Sequence, residues 1–369
     1  MSYRILPVPV PDSPTAEPGW EVLAASRLHN ILDAEVWGND DFAATPQQMV
    51  SGLAHQENVI KLRSIAVPAD VENPGPDDVV GVASTWMSRV DNLTSADVFV
   101  GTRPDARRQG VGEAMWQHVL GQAREHGRTV LQAWVGFGVE PAEGDPDALT
   151  SPTGSGRAPA SDPGTRFALT RGFQLEQVER HSLLQVPVDP ALLERFRSDS
   201  ASKAGEDYEL VTWEGPVPDE WIEQYCVLLR GMSTDAPTAG LTWEEEDWTP
   251  ERVRTSEAAV ADHGSHLLVA AVLHRPSGEL AGYTSFYIED DKRQTVFQDN
   301  TIVRGPHRGH RLGMLLKAAN LQRLAEHRPD AERVHTWNAE ENDFMLSINV
   351  ALGFRPAGGA SALELKLES

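Results

Sequence analysis

One arrangement of elements occurs twice along this chain of 369 residues. In each half a strand-like run leads into a short segment rich in arginine and glycine. That segment leads into a stretch with helical spacing and one apolar side, at 110–126 and again at 309–327. Arg107 and Arg308 hold the same place in the two segments, at an offset of 201 residues. A repeat on this scale predicts two copies of one fold. The length agrees, because one hydrophobic core rarely organises more than about 250–300 residues.

A second offset shows where the two copies differ in length. Gly172 and Gly353 each precede a phenylalanine and lie 181 residues apart, so the first copy carries 20 residues more than the second. The stretch 138–164 is dense in Pro, Gly and Ser and is typical of a long loop that would hold this surplus. Two unrelated α/β domains, the alternative, would not predict where the extra residues fall. We expect a first domain at 1–188, a short helix and linker at 189–206, and a second domain at 207–369.

The apolar pattern predicts an α/β (α+β) fold class, with strands and helices in each domain. Short runs typical of strands alternate with stretches of helical spacing, in the same order in both halves. The predicted strands lie at 3–8, 59–67, 79–87, 97–100, 129–135, 173–178 and 182–188 in the first half, and at 208–212, 267–273, 282–288, 295–303, 333–337 and 363–367 in the second.

The two arginine–glycine segments, 102–112 and 303–313, have the composition of an anion-binding turn. Each lies between a strand and a helix, where backbone N–H groups and the helix dipole favour a negative charge. Glycines let the backbone approach the anion closely, and arginines add charge-assisted hydrogen bonds. Pyrophosphate is the anion that this construction suits.

These segments resemble the signature of the GNAT N-acetyltransferase superfamily, which is Gln or Arg, two residues, Gly, one residue, and then Gly or Ala. The first copy matches throughout, and in the second copy Arg311 replaces the central glycine. The resemblance implies acetyl-CoA as co-substrate. It further implies that each domain has a mixed central sheet flanked by helices, in which the central strands splay apart. It also implies that the co-substrate is held by residues of the two segments and by a later asparagine: Thr102, Arg107, Arg108, Gln109, Gly110, Val111, Gly112, Val303, Arg308, Gly309, His310, Arg311, Leu312, Gly313 and Asn342.

The superfamily has a second pattern, in which an Asn is followed by a Tyr and then by Gly-Phe. Asn342 and Gly353 fall at its spacings in the second copy, but Asn349 stands at the tyrosine position, and Ala168 stands there in the first copy. This tyrosine often protonates the departing thiolate in the superfamily, so the general acid stays open in both halves. Asn349 is either a catalytic substitute or a capping residue at a helix end.

The resemblance also implies a carboxylate that removes the proton of the attacking amine, projecting from the strand before the loop. Asp299 is the only carboxylate at 295–303, and Asp is unusual inside a strand unless it is paired or functional. The alternative is a hydrated carboxylate near a bulge or an edge. Asp97 is the weaker candidate in the first copy. The first copy has the better signature, but Asp299 and the Asn pattern favour the second half as the catalytic one.

An acidic and aromatic stretch precedes the second helix of the second copy. In this superfamily such a segment often forms the acceptor wall, which implies that Asp235, Trp243 and Glu244 contact a cationic amine. The alternative is that the acidic residues only favour the first turn of the coming helix. His263 and His266 have no accompanying ligand set, so no metal site is expected.

The net charge of −23 argues against partners that are themselves anionic. Such a surface repels nucleic acid and anionic lipid, so neither is expected as a partner, whereas a cationic amine would be attracted. The single cysteine, Cys226, excludes an internal disulfide and is typical of a reducing compartment. With no apolar run near the roughly 20 residues of a membrane span and no secretory signal at the N-terminus, we expect a cytoplasmic protein.

Together these features predict an acetyl-CoA-dependent N-acetyltransferase that acts on a small, cationic primary amine. The tandem arrangement is distantly similar to that of mycothiol synthase, although the motifs at the domain ends differ, and the chain resembles an actinobacterial tandem acetyltransferase. A non-catalytic acyl-CoA-binding sensor or scaffold is the alternative. A longer acyl group or an aminoacyl-tRNA donor is a further possibility, the latter disfavoured by charge. Both a monomer and a homodimer agree with the sequence.

Overall fold

The structure, a computed structural model, describes residues 2–368. Its strands are β1 Tyr3–Pro7, β2 Val59–Pro68, β3 Gly81–Ser88, β4 Ser95–Thr102, β5 Val130–Phe137, β6 Ala148–Thr150, β7 Arg157–Pro159, β8 Gln174–Gln185, β9 Tyr208–Glu214, β10 Ser265–His274, β11 Glu279–Glu289, β12 Thr295–Val303, β13 Arg333–Ala339 and β14 Arg355–Lys366. Its helices are α1 Trp20–Trp37, α2 Pro46–Ala54, α3 Val111–Glu125, α4 Pro163–Leu169, α5 Pro190–Ala204, α6 Ile222–Asp235, α7 Pro250–Asp262, α8 Leu312–His327 and α9 Asp343–Leu352.

The two halves share one continuous sheet of twelve strands, in the order β1-β2-β3-β4-β5-β14-β8-β13-β12-β11-β10-β9. Most neighbours are antiparallel, and the pairs β4–β5 and β12–β13 are parallel. The predicted fold class, with a mixed sheet in each half, is therefore confirmed. What the sequence did not predict is that the two sheets are joined edge to edge.

The last strand of each half lies in the sheet of the other half. Strand β14 pairs with β5, from Gly359 opposite Phe137 to Lys366 opposite Val130, and β8 pairs with β13. Between them β8 and β14 run antiparallel, with Glu179 opposite Ala360. These two residues are 181 positions apart, the same offset that relates the two strands, so a pseudo-twofold axis passes through this pair.

Both exchanged strands are twelve residues long, which corrects two predictions. The sequence predicted two short strands at 173–178 and 182–188, and only 363–367 at the end of the chain. Pro356 and Gly358 suggest a turn in the sequence, but in the structure they lie at a register shift within β14. Gly359 is needed inside the strand because a Cβ there would come within 2.6 Å of the Phe137 ring.

Four helices cover one face of the sheet, which we call the upper face. Because successive strand residues point to opposite faces, Ile65 packs with α1 and α2 on this face while Ala66 packs with α3 on the lower face. In the second half Val269 packs with α6 and α7, and Ala270 packs with α8. Contacts between α2 and α7 place all four helices α1, α2, α6 and α7 on the upper face.

Two connections cross between the halves on the upper face. The α1–α2 connection brings Asp41 to the second half, where it accepts hydrogen bonds from Arg333 and Thr295. The α6–α7 connection brings Thr242 to β14, the strand that borders β5 of the first half. There the Thr242 hydroxyl donates to Glu364 at 2.8 Å. Each half therefore covers part of its partner's sheet.

The remaining predicted segments are ordered. Residues 190–204 of the expected linker form α5, which packs against α8, and Leu193 joins the second-half core. The expected loop at 138–164 contains the hairpin β6–β7. Among the helices of residues 2–368, none combines the length and apolar character of a membrane span.

The strand exchange predicts a stability effect that crosses between the halves. Leu184 lies on the first-half strand β8, is 3% exposed, and packs within the core of the second half. Leu184→Ala should lower the free energy of unfolding by about 2–5 kcal/mol, because it leaves a cavity in that core. Amide hydrogen exchange should accelerate first in α8 and β12 rather than in the half that contains the mutation.

The matched control is Leu131→Ala, which removes an equally buried leucine from β5. Leu131 packs in the first-half core together with Leu363 of β14, so amide hydrogen exchange in the Leu131→Ala variant should accelerate in β4 and α3. Faster exchange confined to β1–β5 in Leu184→Ala would contradict the exchange of strands.

Candidate functional site

Each half contains a cleft where two parallel strands separate. Strands β12 and β13 pair only from Thr295 to Phe297, and β4 and β5 pair only from Ser95 to Asp97. Beyond these points the backbone groups that would have joined the strands face a gap. Such groups need partners, and an extended ligand that enters the gap can supply them in the manner of an added strand.

The cleft of the second half has a β-bulge that the first half lacks. Along β11 and β12 the register steps from Thr284 opposite Thr301 to Phe286 opposite Gln298, so β12 contains one residue more than its partner. Strand β4 pairs with β3 in regular register over the whole of its ladder. Because a bulge bends a strand and redirects a side chain, the extra residue sets the direction of Asp299, whose carboxylate lies beside Ser285 of β11.

Gln298 holds the bulge in place. Its side chain is 7% exposed, and the amide nitrogen donates to the Ser285 carbonyl at 2.6 Å and to the Thr284 hydroxyl at 3.1 Å. A carbonyl left over by the bulge therefore gains a donor. This role could not be predicted from the sequence, because the pattern around a glutamine in a strand is the same whether its side chain faces solvent or the protein interior.

Asp299, the predicted base, stands on the upper face beside the bulge. The Ser285 hydroxyl donates to its carboxylate at 2.9 Å. Solvent reaches the side chain from the cleft, yet the protein surrounding the carboxylate raises its pKa, against the opposing effect of the Ser285 hydrogen bond. Burial, with smaller contributions from the charges of Glu289 and Asp299, raises the pKa of Tyr287 to about 12, so this neighbouring phenol stays protonated.

The two anion loops have the same backbone despite the missing glycine. Arg108 (φ 62°) and Gly110 (φ 93°) are left-handed in the first loop, and the equivalent Gly309 (φ 86°) and Arg311 (φ 57°) are left-handed in the second. Glycine and arginine have thus exchanged places between two positions of one turn. Arg311 therefore preserves the turn, at a cost of about 1–2 kcal/mol for a residue with a Cβ.

The signature arginines brace the loops against helix ends. Arg107 forms a two-pronged ion pair with Glu35 near the end of α1, and its hydrogen bond lowers the pKa of Glu35. Arg308 donates to Asp235 at the end of α6, at 2.8 Å. Asp235, predicted to contact the acceptor, is thus placed beside the donor loop. Arg311 is exposed, and within residues 2–368 no side chain forms an ion pair with it.

The second glycine of each signature allows close helix packing. A Cβ on Gly112 would lie 3.0 Å from the Phe167 ring of α4, and one on Gly313 would lie 3.0 Å from Ile348 of α9. The other predicted loop residues end the strands, start the helices or line the turn: Thr102, Val303, Val111, Leu312, Gln109 and His310. The open surroundings of Gly110 and Gly309, with no atom within 4 Å of a built Cβ, fit an anion of pyrophosphate size above the helix N-termini.

The two predicted asparagines lie at the ends of α9. Asn342 caps its N-terminus by accepting from the Met345 N–H at 3.2 Å. Asn349 is 1% exposed, and its amide donates to the Asn338 side chain of β13 at 2.7 Å. The Asn349 oxygen has no hydrogen-bond partner among the described residues. An amide holds no titratable proton, so Asn349 can position a group by hydrogen bonding but cannot serve as the general acid.

The predicted acceptor residues of the α6–α7 connection lie against the first half. Glu244 accepts from the Asn92 N–H at 3.0 Å, and its own N–H donates to the Asn92 side chain at 2.8 Å. Trp243, next to it, is 39% exposed. These hydrogen bonds join Glu244 to Asn92 of the first half and not to Asp299. Across residues 2–368, no group of three His, Cys, Asp or Glu side chains is arranged to hold a metal ion.

Comparison with known proteins agrees with this architecture. The model of the acetyltransferase (GNAT) family matches residues 44–144 and 234–354, one match in each half. A tandem GNAT protein from the clavulanic acid biosynthesis pathway is 25% identical, with a TM-score of 0.72 over 100% of this chain and 99% of that one. A GCN5-related N-acetyltransferase from Sphaerobacter thermophilus is 14% identical, with a TM-score of 0.59 over 100% and 96%.

The family assignment depends on the family model and on the solved structures, because no curated protein matches the sequence. The two family matches together span more than half of the residues. They include both anion loops and both splayed strand pairs, whose geometry is described above. The chain belongs to the acetyltransferase (GNAT) family.

Proposed function

We propose that the chain transfers an acetyl group from acetyl-CoA to a primary amine, and that the second half performs the reaction. The observation that carries this proposal is the bulge in β12, which presents Asp299 at the mouth of the second cleft. The first half has the regular strand instead. Because a bulge costs ladder hydrogen bonds and is usually kept for a purpose, the second half is the better candidate.

The donor site of the second half consists of the cleft and the loop before α8. The backbone beyond Phe297 no longer pairs with β13, so it can hydrogen-bond an extended pantetheine arm. The N–H groups at the start of α8 and the exposed Arg311 suit the pyrophosphate. When bound, acetyl-CoA supplies a thioester whose acetyl group is activated for attack.

Asp299 prepares the acceptor by taking a proton from its ammonium group. Its raised pKa makes the carboxylate a stronger base than an ordinary aspartate, and the Ser285 hydrogen bond fixes its orientation. The neutral amine then forms the new C–N bond while the C–S bond breaks. Asp299 takes one proton from the ammonium group. The nitrogen loses a second proton as the amide forms, and this proton is taken up by the departing thiolate to give CoA thiol.

A small cationic acceptor is favoured by electrostatics. The net charge of −23 raises the local concentration of amines, and Asp299 supplies a carboxylate at the reacting position. Three tyrosines near Asp299 keep their protons, because burial raises the pKa of Tyr225, Tyr283 and Tyr287. The surroundings of the base are therefore polar and add no competing charge.

A non-catalytic acyl-CoA-binding protein is the second candidate. It is favoured by one observation, the absence of a titratable side chain at the superfamily's tyrosine position, where Ala168 and Asn349 stand. Release of CoA thiol in the presence of spermidine, agmatine or cadaverine, with the acetylated amine seen by mass spectrometry, would exclude this candidate. Binding of acetyl-CoA without product from any primary amine would favour it.

Replacing the base should separate catalysis from donor binding. Asp299→Asn should lower kcat/KM by roughly 100-fold or more, the usual contribution of a general base, and leave the Kd for acetyl-CoA unchanged. In the wild type kcat/KM should rise with pH through the raised pKa of Asp299, because only the carboxylate can accept the proton. The variant should lose this acid limb.

Asp97→Asn is the matched control, because Asp97 stands at the splay point of the first half. It should keep the activity and the pH profile of the wild type in the thiol-release assay. If Asp97→Asn loses activity while Asp299→Asn keeps it, the first half is the catalytic one and the assignment is wrong.

The arginine in the second loop should trade stability for donor affinity. Arg311→Gly removes a left-handed residue with a Cβ, so the free energy of unfolding should rise by about 1 kcal/mol. The affinity of the second loop for acetyl-CoA should fall by roughly 10-fold or more with the loss of a charge-assisted hydrogen bond. Arg108→Gly is the matched variant, because it replaces the left-handed arginine of the first loop with glycine. A calorimetric titration showing equal affinity in Arg311→Gly and wild type would contradict a phosphate contact.

A further inference from the structure

The upper face of the first half contains a group of charged and polar side chains that the proposed reaction does not use. We call it the first-half pocket and define it by His29 and Asp33 of α1, Arg63 of β2, and Asp97 and Phe99 of β4. The rings of His29 and Phe99 meet edge to face, with 5.0 Å between centroids, and His29 Nε2 lies 3.7 Å from an Asp33 carboxylate oxygen. Solvent reaches Asp97 from the cleft.

Arg63 has no protein partner for its side chain within residues 2–368. Its Nε and Nη1 atoms are shielded from solvent and unpaired, and Nδ1 of His29 is unpaired as well. Asp33 lies near enough for its charge to act on Arg63, but the two do not form a hydrogen-bonded ion pair. Unpaired charged donors at buried positions lower stability and call for an absent partner such as an ion or a ligand.

The second half shows that the fold does not need these polar groups. Arg63 pairs with Ser84 as Val269 pairs with Ser285, so Val269 occupies the equivalent position. Asp97 is the last residue of β4 that pairs with β5, and Phe297 is the last residue of β12 that pairs with β13. Phe297 therefore occupies the position equivalent to Asp97.

The helix of the pocket shows the same replacement. Leu229 precedes Asp235 by six residues, as His29 precedes Glu35, and these two carboxylates anchor the equivalent loop arginines. Leu229 and Val269 are 8% and 1% exposed and belong to the second-half core. Three polar side chains of the first half therefore stand where the same fold otherwise places apolar ones.

The charges of the pocket select the class of ligand. A guanidinium binds a carboxylate or a phosphate. Asp33 lies near Arg63, and Asp97 stands on the same face of the sheet. Burial raises the pKa of each carboxyl to about 6, in Asp33 against the opposing charges of Lys292 and Arg63. A phosphate dianion would be repelled by both, whereas an ammonium group would pair with them. One ligand that carries both charges can satisfy both sides of the pocket.

We propose that the first-half pocket binds a small zwitterion, with its carboxylate on Arg63 and its ammonium group on Asp97. The two residues lie on strands separated by one other strand. Arg63 is in line with Phe99, and Asp97 lies two residues from Phe99 along β4, so the two backbones are about 12 Å apart. Two side chains that reach inward from this distance leave room for a short spacer, as in β-alanine. The proposal rests on the assignment of catalysis to the second half, because Asp97 would otherwise be the candidate base of the first half.

The test is a calorimetric titration and thermal unfolding of the full chain with β-alanine. Comparison ligands are putrescine, which lacks the carboxylate, succinate, which lacks the ammonium group, and inorganic phosphate. We expect β-alanine to raise Tm and to bind at least about tenfold more tightly than the other three, since each charged contact contributes about that factor. No binding of β-alanine, or tighter binding of phosphate, would overturn the proposal.

Variants of Arg63 connect the binding to the pocket. Arg63→Val installs the residue of the second half, so Tm without ligand should rise and the response to β-alanine should vanish. Arg63→Gln, which keeps a polar group, should also lose the response, while Arg124→Gln removes an exposed cation from α3 and should keep it. A lower Tm in both Arg63 variants would show that the guanidinium supports the fold, and unchanged β-alanine binding in either would place the ligand elsewhere.

Discussion

The antiparallel pairing of β8 with β14 is the contact on which the architecture depends. A strand edge with open N–H and C=O groups must be paired or covered, and here each half closes the inner edge of the other. The two sheets consequently become one, and the pseudo-twofold axis at Glu179 and Ala360 fixes where both clefts lie. The crossed connections through Asp41 and Thr242 add further contacts between the halves on the upper face.

On this shared frame the two halves differ in chemistry while the backbone is conserved between them. The loops show it on a small scale, because glycine and arginine exchange places at two left-handed positions and the turn is unchanged. The strands show it on a larger scale. The second half has a carboxylate at a bulge and apolar residues beneath it, whereas the first half has regular strands and a guanidinium. The same fold thus carries a carboxylate at a bulge in one half and, in the other, a shielded guanidinium at the position of Val269.

Much of this could be predicted from the sequence, because local patterns determine local structure. The loops, the helices after them and the position of Asp299 follow from glycine, arginine and periodicity within short windows. The strand exchange could not, since pairing between residues 181 positions apart leaves no local pattern. Nor could the partners of Asp235 and Glu244, which are long-range contacts, or the significance of Arg63, which emerges only when the register shows that Val269 is its equivalent.

The exchanged strands also constrain how the gene can change. Loss of everything after residue 188 would remove β14, and with it the neighbour of β5, while leaving β8 without the strand β13. Loss of the first half would leave the second without β8. Selection for either activity therefore maintains both coding halves, even if only one of them performs chemistry. A half that does not catalyse the reaction is still required for folding, so its polar side chains can evolve to bind a different ligand.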